Sequence, residues 1–433
     1  MNILFVSKDL TAGNVAVLLK KEGHNVKLFI ENKSSRNNLD NLVEKTLNWR
    51  KNLKWVGKDG LIIFDEIGYG ATQDKLRKQG YKVFGGSELT DKLEMDREFG
   101  QKIFSEFGMK TVPLKDFENM DDAVLFVQKN RKAWVIKQNE NGFRNLSYVG
   151  HFDDGRDVIS VLKNYLQNSA INSARISLHE KIKGIELAVA RSFNGKDWVG
   201  PIKMNIEHKR FFPGDLGQLT SEMGTIAWFD SNENNKLFTE TLGRLRPFLE
   251  RVKFVGEIDL NCIVNETGAY ILEATPRFGT PIVHLHSEMH ESPWGDFLYA
   301  VACGKQYDLK WKRGMGIVAL LAVPPFPYAK KSKENIYYGL NIYFENFSVE
   351  EFKHVHFEEV ALRTFEKEQY YISDNQGYVL YVTGSGKNID EAQNNLYPIT
   401  QKIIIPKVIY RNDLGDSFKN RSEMLLRSWG YIK

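Results

Sequence analysis

Residues 208–224 read HKRFFPGDLGQLTSEMG and are the part of the chain richest in groups that bind anions. Three basic residues open the segment, and acidic and hydroxyl side chains follow among three glycines. Glycines let backbone N–H groups approach an anion closely, and Lys and Arg add charge-assisted hydrogen bonds. The segment therefore favours a phosphate-binding loop, with a solvated surface loop as the alternative.

A second informative segment, GEIDLNCIVNETGAYILEATPRFG, spans residues 256–279 and predicts two strands joined by a turn. On such strands Asp259 and Glu273 can face each other, and alternation places Glu273 and Thr275 on one side. Oxygen ligands of this kind suit Mg²⁺, which shares its remaining positions with phosphates and water. Arg277, two residues further on, can neutralise charge on a transferring phosphoryl group. The alternative is a pair of unrelated surface carboxylates.

Lys137 lies inside the apolar stretch WVIKQ at residues 134–138. Its apolar neighbours argue against a fully solvated side chain. A bound phosphate and an internal salt bridge explain such a lysine equally well, and both interpretations stay open at this point.

The first third of the chain alternates short apolar strands with helical patterns, which is typical of a parallel sheet covered by helices. Residues 88–108 predict one long amphipathic helix. From residue 133 onward, strands separated by turn signals indicate a mixed α+β region with mostly antiparallel strands.

Composition excludes several classes of protein. The chain has 433 residues, of which 42% are hydrophobic, and 59 basic against 55 acidic residues give a net charge of +4. This balance argues against nucleic-acid and membrane partners. Two cysteines make no disulfide framework, so we expect a cytoplasmic protein. GSGK at 384–387 is not a phosphate loop, since Asn388 follows the lysine where Ser or Thr is required.

Taken together, these segments resemble the ATP-grasp superfamily and, within it, the phosphoribosylamine–glycine ligases. The 208–224 segment is similar to that family's HKR…GD signature, and ILEATPRFGTP (271–281) is similar to its EFNxRFGDPE strand. The resemblance extends over GGSELTDKLEMDREFGQKIFSEFGMKT (85–111), VLYVTGSGKNIDEAQNNLYPITQKI (379–403) and YRNDLG (410–415).

The resemblance implies an α/β and α+β protein with an ATP-grasp fold. Its N-terminal parallel-sheet (pre-ATP-grasp) domain would span residues 1–105. The ATP-grasp domain would span residues 106–305, with a lid subdomain at about 112–182, and a small C-terminal α+β domain would span residues 306–433. A monomer or a homodimer is expected.

The resemblance also implies roles for individual residues, with ATP and Mg²⁺ as cofactors and Mn²⁺ as a possible substitute. The catalytic group is Arg277, Lys209 and Asp215. The metal ligands are Glu273, Thr275 in place of the family's Asn, and Asp259. The nucleotide-binding residues are Lys137 and Arg97 at the phosphates, Glu180, Lys181 and Ile182 at the adenine, Glu186 near the ribose, and His208 and Arg210.

The implied reaction is the ATP-dependent joining of glycine to 5-phosphoribosylamine through an acyl phosphate, as in purine biosynthesis. The segments expected near these substrates depart from the family. SKDLTAGNVA (7–16) replaces a glycine-rich loop with Arg-Glu-His, Phe64-Asp65-Glu66 replaces Gly-Pro-Glu, and Thr280-Pro281-Ile282 replaces Asp-Pro-Glu. The lid segment 138–150 contains few glycines. The same chemistry on another amino acid or amine is therefore the alternative, and a non-catalytic nucleotide-binding protein is a third hypothesis.

Overall fold

The structure is a computed structural model that describes residues 1–138, 147–168, 175–328, 336–365 and 367–433. Most of the lid segment predicted from the resemblance, residues 139–146, lies outside the described residues. In the described part, no helix is both long and apolar enough to cross a bilayer.

The N-terminal region is a five-stranded parallel sheet with strand order β3-β2-β1-β4-β5. The apolar runs predicted as strands are buried within it. Because β2 lies on one side of β1 and β4 on the other, the carboxyl ends of β1 and β4 flank the point where strand order reverses, which is where open α/β sheets bind ligands. The elements are β1 (Asn2–Ser7), α1 (Gly13–Lys21), β2 (Asn25–Ile30), β3 (Glu44–Lys45), α2 (Leu53–Val56), β4 (Leu61–Phe64), α3 (Gly70–Lys78) and β5 (Lys82–Phe84).

The single helix predicted over residues 88–108 is instead two helices, α4 (Glu88–Met95) and α5 (Arg97–Glu106). Asp96 between them has extended backbone, and its Oδ1 accepts the amide of Phe99 as the N-cap of α5. An aspartate at this position competes with the helix for backbone hydrogen bonds, so the apolar periodicity continues across a real break.

A small four-stranded sheet of order β7-β10-β8-β9 follows, with two helices packed against one face. Its apolar cluster includes Trp134, Ile136 and Leu178 together with side chains of both helices. The elements of this region are β6 (Lys110–Thr111), β7 (Leu114–Phe117), α6 (Met120–Lys129), β8 (Trp134–Gln138), β9 (Tyr148–Val149), α7 (Arg156–Leu166) and β10 (Ile176–Glu180).

The largest sheet has nine strands in the order β20-β23-β18-β15-β12-β11-β16-β17-β6 and is antiparallel except at β6. Its middle elements are β11 (Ile185–Asn194), β12 (Trp198–Glu207), β13 (Arg210–Phe212), β14 (Leu216–Leu219), β15 (Gly224–Asp230), α8 (Lys236–Glu240), α9 (Arg246–Arg251), β16 (Val255–Asn265), β17 (Gly268–Thr275), α10 (Ile282–Met289) and α11 (Trp294–Ala302).

The last third of the chain contributes three strands to this same sheet, since β18 pairs with β15. The predicted boundary at residue 306 thus falls between α11 and a strand that extends the central sheet. The remaining elements are β18 (Met315–Ala322), β19 (Tyr343–Phe344), β20 (Val355–Phe357), β21 (Val360–Arg363), β22 (Gln369–Ile372), β23 (Tyr378–Gly386), α12 (Ile389–Gln401), β24 (Ile403–Ile404), a π-helical turn at Phe418–Ser422, and α13 (Glu423–Ser428).

One face of the nine-stranded sheet is polar over its central strands. Residues paired across antiparallel strands share a face, and so do residues two apart on one strand. The strand pairings therefore place one set of polar side chains together: Lys203, Asn205 and Glu207 of β12, Glu257, Asp259 and Asn261 of β16, and Glu273 and Thr275 of β17.

Candidate active site

The candidate site lies between the small four-stranded sheet and the polar face of the nine-stranded sheet. Lys137 is presented by β8, on which Trp134 and Ile136 point into the apolar cluster beneath the sheet. Alternation then directs Lys137 to the opposite face, beside its strand partner Ser177. Lys137 therefore points away from the apolar cluster and lies near the charged side chains of Glu273 and Lys209.

Two further cations converge with Lys137. Arg97, in the first turn of α5, lies 3.4 Å from His179 Nε2 on β10. Burial lowers the pKa of Lys137, Glu273 counteracts this shift, and the charges of Arg97 and Lys209 add to it. Burial, Lys137 and Arg97 lower the pKa of His179 to about 3, which leaves that ring neutral at pH 7. The excess of positive charge suits a polyphosphate.

Lys209 anchors the carboxylates of the polar face. Its Nζ lies 2.6 Å from Glu186, 2.8 Å from Glu207 and 4.0 Å from Glu273. Burial opposes protonation of Lys209, but the three carboxylates outweigh burial and raise its pKa. The lysine therefore stays charged and holds three acidic side chains from three strands or strand ends around one point.

Glu273 is the most accessible carboxylate of this group, with half of its side chain exposed. The surrounding protein opposes its ionisation, but Lys209 and Lys137 outweigh that effect and lower the pKa of Glu273. Its partner across the strand pair is Asn261, and Asp259 pairs with Thr275. Asp259 and Glu273 therefore do not face each other directly, because the residue opposite Glu273 lies two positions beyond Asp259.

Asp259 lies deeper than Glu273 and accepts a hydrogen bond from Asn205 at 3.0 Å. Burial, followed by the nearby charge of Glu207, raises the pKa of Asp259 to about 7. Asn261 Oδ1 is buried and accepts no hydrogen bond. Among the described residues, no three His, Cys, Asp or Glu side chains form a ready-made metal site. The available oxygens instead suit an ion that takes few protein ligands, which is the usual case for Mg²⁺.

Arg277 follows β17 and forms an ion pair of 2.7 Å with Glu94 of α4. Burial opposes its charge, but Glu94 prevails and raises the pKa of Arg277. A quarter of the arginine side chain stays exposed, and Nη1 donates to the carbonyl of Phe278 at 2.9 Å.

His208 and Asp215 make their contacts with the C-terminal region, whereas the side chain of Arg210 makes its contact within the 208–224 segment. His208 Nε2 accepts the amide of Gly415 at 3.2 Å. Arg210 donates to the carbonyl of Gly217, and Asp215 pairs with Arg411 at 2.7 Å. The contacts of His208 and Asp215 tie the 208–224 segment to the C-terminal region. Lys209 is the member of the basic triplet that reaches the charged cluster.

The predicted adenine-binding residues lie at the end of β10. Glu180 pairs with the half-exposed Lys132 at 3.0 Å, and Lys181 Nζ donates to the carbonyl of Gly150 at 2.7 Å. The amide of Lys181 donates to Ala133. The amide of Ile182 has no backbone acceptor within the described parts of the chain, so it is available to a ligand at this edge.

Sequence reasoning missed three residues of this site, namely Glu94, Glu207 and Asn261. Glu207 directly precedes the basic triplet. Because it alternates with Lys203 and Asn205 along β12, its place on the same face of the sheet could have been predicted from the sequence. Asn261 follows from the strand register once the turn at residues 266–267 is placed. No local pattern marked Glu94, because its partner Arg277 lies 183 residues away.

The sequence is similar to known proteins. Residues 95–282 match the family described as phosphoribosylglycinamide synthetase, ATP-grasp (A) domain. The phosphoribosylamine–glycine ligase of Clostridium acetobutylicum is 23% identical over 355 residues, covering 79% of this chain and 81% of its own. That of Helicobacter pylori strain J99 is 26% identical over 356 residues, covering 79% and 78%.

Solved structures agree on the fold. The crystal structure of phosphoribosylamine–glycine ligase from Thermotoga maritima has a TM-score of 0.70 at 18% identity, over 96% of this chain and all of that one. Biotin carboxylase from Campylobacter jejuni, solved with a nucleotide analogue, has a TM-score of 0.64 at 10% identity, over 99% and 97% of the two chains.

The arrangement of the two sheets is the ATP-grasp fold. Among ATP-grasp proteins, the chain resembles the phosphoribosylamine–glycine ligases in the sequence of its ATP-grasp domain and in its full-length architecture.

Proposed function

We propose that this protein is an ATP-dependent ligase that joins a carboxylate to an amine and releases ADP and phosphate. The observation that carries the proposal is the convergence of Lys137, Arg97 and Lys209 with Glu273 in one cleft between two sheets. The similarity of the chain to phosphoribosylamine–glycine ligases supports the same chemistry.

The chemistry follows from the electrophile. A carboxylate resists attack by an amine because its leaving group would be oxide. Transfer of the γ-phosphoryl group of ATP gives an acyl phosphate, and the amine then displaces phosphate. In this proposal Lys137, Arg97 and Lys209 offset the charge of the triphosphate, and Arg277 stabilises charge that develops on the transferring group. Asp215 is proposed to act indirectly, by holding the 208–224 segment against Arg411.

The residues present fit a magnesium–nucleotide complex. Glu273 is accessible, and Asn261 Oδ1 is a buried acceptor without a donor, so both are proposed to hold Mg²⁺, with Thr275 and Asp259 nearby. When bound, the ion would neutralise phosphate charge and orient the phosphates. Mn²⁺ is proposed as a substitute because it accepts the same oxygen ligands. Glu180, Ile182 and Glu186 are proposed to contact the nucleoside, while His208 and Arg210 support the loop.

The names of the relatives make glycine and phosphoribosylamine the first substrate pair to propose, and thus a step of purine biosynthesis. Both cysteines, Cys262 and Cys303, are free thiols, which supports a cytoplasmic location. A monomeric or homodimeric state is kept as part of the proposal.

A second candidate, the same chemistry with an unphosphorylated amine, is favoured by the loop after β1. Glu66 Oε1 accepts the amides of Asp9 and Thr11 at 2.8 and 3.2 Å, and Asp65 Oδ2 accepts the amide of Ala12 at 2.9 Å. The hydroxyl of Ser7 accepts the amide of Leu10. The donors of this loop, which sits where strand order reverses, are thus occupied by groups of the protein itself, so a substrate phosphate would have to displace them.

The test is an ADP-release assay with Mg²⁺-ATP, in which glycine and other amino acids are each combined with phosphoribosylamine and other amines. ADP release that requires glycine and phosphoribosylamine together supports the first candidate. Release only with other pairs selects the second. Absence of ADP with every pair contradicts the proposed function and leaves a non-catalytic nucleotide-binding protein.

A further inference from the structure

Glu222 is a buried carboxylate without a partner. It lies in the turn just before β15, only 6% of the residue is exposed, and its Oε1 is fully buried. Its side chain forms no hydrogen bond or ion pair with any described residue, and its neighbour Ser221 contacts Tyr378 instead. A buried carboxylate without a donor destabilises a fold, so such a group commonly serves a ligand.

Glu358 is a second carboxylate of the same kind. It lies in the tight connection between β20 and β21 and is 9% exposed, and its Oε2 is buried without a hydrogen bond. The adjacent Glu359 differs, because its Oε2 accepts the amide of Gly377 at 2.9 Å. Two neighbouring glutamates thus share the same burial, but only Glu359 is satisfied by the described protein.

Both unpaired carboxylates lie close to Tyr381 of β23. The strand pairs that link Glu207, Thr225, Val318 and Thr383 place Tyr381 on the polar face of the nine-stranded sheet. Burial raises the pKa of Tyr381, and the charges of Glu358 and Glu222 raise it further. Tyr381 pairs with His356 of β20, which lies two residues before Glu358. Tyr381 also pairs with Leu320 of β18, whose amide donates to the carbonyl of Met223, the residue after Glu222. Both glutamates therefore lie close to Tyr381.

Each of the two carboxylates also lies near a region described above. Burial and the charge of Glu207 raise the pKa of Glu222, which places it beside the Lys209 cluster. Burial, Glu359 and Asp65 raise the pKa of Glu358, which places it beside the carboxyl end of β4. Glu66 Oε1 and Asp65 Oδ2 accept donors of the loop after β1, whereas Asp65 Oδ1 is a further buried oxygen without a hydrogen bond.

We propose that Glu222 and Glu358 form a subsite that binds the ammonium group of an α-amino acid, whose carboxylate is then directed toward Lys209 and Arg277. An ammonium group supplies both the positive charge and the three N–H donors that two unpaired carboxylates lack. This inference rests on the proposed function only in taking an amino acid as the activated acid. The inference adds that Glu222 and Glu358 select an amino acid as the substrate.

The subsite would bind its ligand with release of protons. Burial raises the pKa of both carboxyl groups while the subsite is empty. A cation binds the ionised form, so binding should tighten as the pH rises, and calorimetry in buffers of different ionisation enthalpy should detect the released protons.

The test compares Glu222→Gln and Glu358→Gln with Glu359→Gln, which changes an equally buried but hydrogen-bonded neighbour. The substrate probes are glycine and glycolate, which differ at the amino group. We expect each of the first two variants to raise the KM for glycine at least tenfold and change the KM for ATP less than threefold. Both should also lose the preference for glycine over glycolate. Glu359→Gln should keep the wild-type preference, and thermal unfolding should confirm that all variants fold.

An unchanged preference for glycine in both Glu222→Gln and Glu358→Gln would overturn the subsite. If the wild-type protein releases no ADP with any acid, the proposed function fails, and the subsite is then tested by calorimetric binding of glycine and glycolate alone. Binding of glycine that is stronger than that of glycolate and is lost in Glu222→Gln supports the subsite. Equal binding, or no binding, contradicts it.

Discussion

Arg277 and Glu94 connect the end of β17 to α4 through a guanidinium–carboxylate pair in which Arg277 Nη2 lies 2.7 Å and Nε 3.2 Å from the carboxylate. The pair holds the arginine side chain in place. We therefore expect substitutions of Arg277 and Glu94 to reduce activity by different amounts. Arg277→Ala should abolish ADP formation, because it removes the charge proposed to stabilise the transferring phosphoryl group. Glu94→Gln should lower kcat about tenfold and leave the KM for ATP nearly unchanged. Steady-state kinetics measure both, and equal losses in kcat would contradict a positioning role for Glu94.

Glu273→Gln is expected to abolish Mg²⁺-dependent ADP formation while the fold is retained. The side chain is half exposed, so the neutral isostere carries little cost in folding, but it removes the carboxylate proposed to hold the ion. Nucleotide binding measured with and without Mg²⁺ checks this result. Asp259→Asn is a suitable comparison, since Asp259 lies deeper and is already hydrogen-bonded to Asn205. Undiminished turnover in Glu273→Gln would remove this residue from the site.

Lys137→Met and Lys209→Met are expected to differ in their effects: the first should mainly weaken ATP binding, and the second should lower the free energy of unfolding. Lys209 holds Glu186 and Glu207 within 2.8 Å, so its loss leaves paired carboxylates uncompensated and should cost on the order of 2 kcal/mol in the free energy of unfolding. No ion pair within 4 Å constrains Lys137 among the described residues, so Lys137→Met should weaken ATP binding with little loss of stability. Urea denaturation and nucleotide titration measure the two effects. A large destabilisation by Lys137→Met would indicate a structural salt bridge instead.

The pKa of His208 allows a prediction of how the free energy of unfolding depends on pH. Burial, followed by the charge of Arg411, lowers the pKa of His208 to about 4, and its neutral ring accepts the amide of Gly415. Because the unfolded chain binds a proton near pH 6.5 and the folded chain does not, this stability is present above pH 6.5 and is lost as the pH falls toward 4.

The variant His208→Gln keeps an acceptor for Gly415 without the titrating ring. Its free energy of unfolding should fall less steeply between pH 6.5 and 4.5, by up to about 1.4 kcal/mol per pH unit. Urea unfolding at several pH values measures the slope. Identical slopes in the variant and the wild-type protein would show that His208 is protonated in the folded state.

Much of the fold follows from local patterns, because each predicted strand needs only its own apolar residues to be recognised. WVIKQ at 134–138 coincides with β8. The ATP-grasp fold was also recognised correctly from the resemblance. The helix over 88–108 was drawn too long, because apolar periodicity continues past Asp96 while the capping geometry of that residue ends one helix and starts another.

The candidate site could be predicted where a residue type carried its own chemistry, as with Lys137, Lys209 and Glu273. Its pairings could not, because they depend on strand register and on contacts distant in sequence. A difference of two residues in the register of β16 and β17 puts Asn261, and not Asp259, opposite Glu273. Glu222 looked like one polar residue in a polar segment, and only its burial without a donor distinguishes it.

The pairing of β15 with β18 has a consequence for dissecting the protein. A fragment that stops near residue 305 would leave β15 as an open apolar edge, and such edges recruit strands from other molecules. We therefore expect truncated fragments to aggregate instead of yielding an isolated nucleotide-binding unit. Proteins made for expression or engineering should therefore keep the last third of the chain, because its strands complete the nine-stranded sheet.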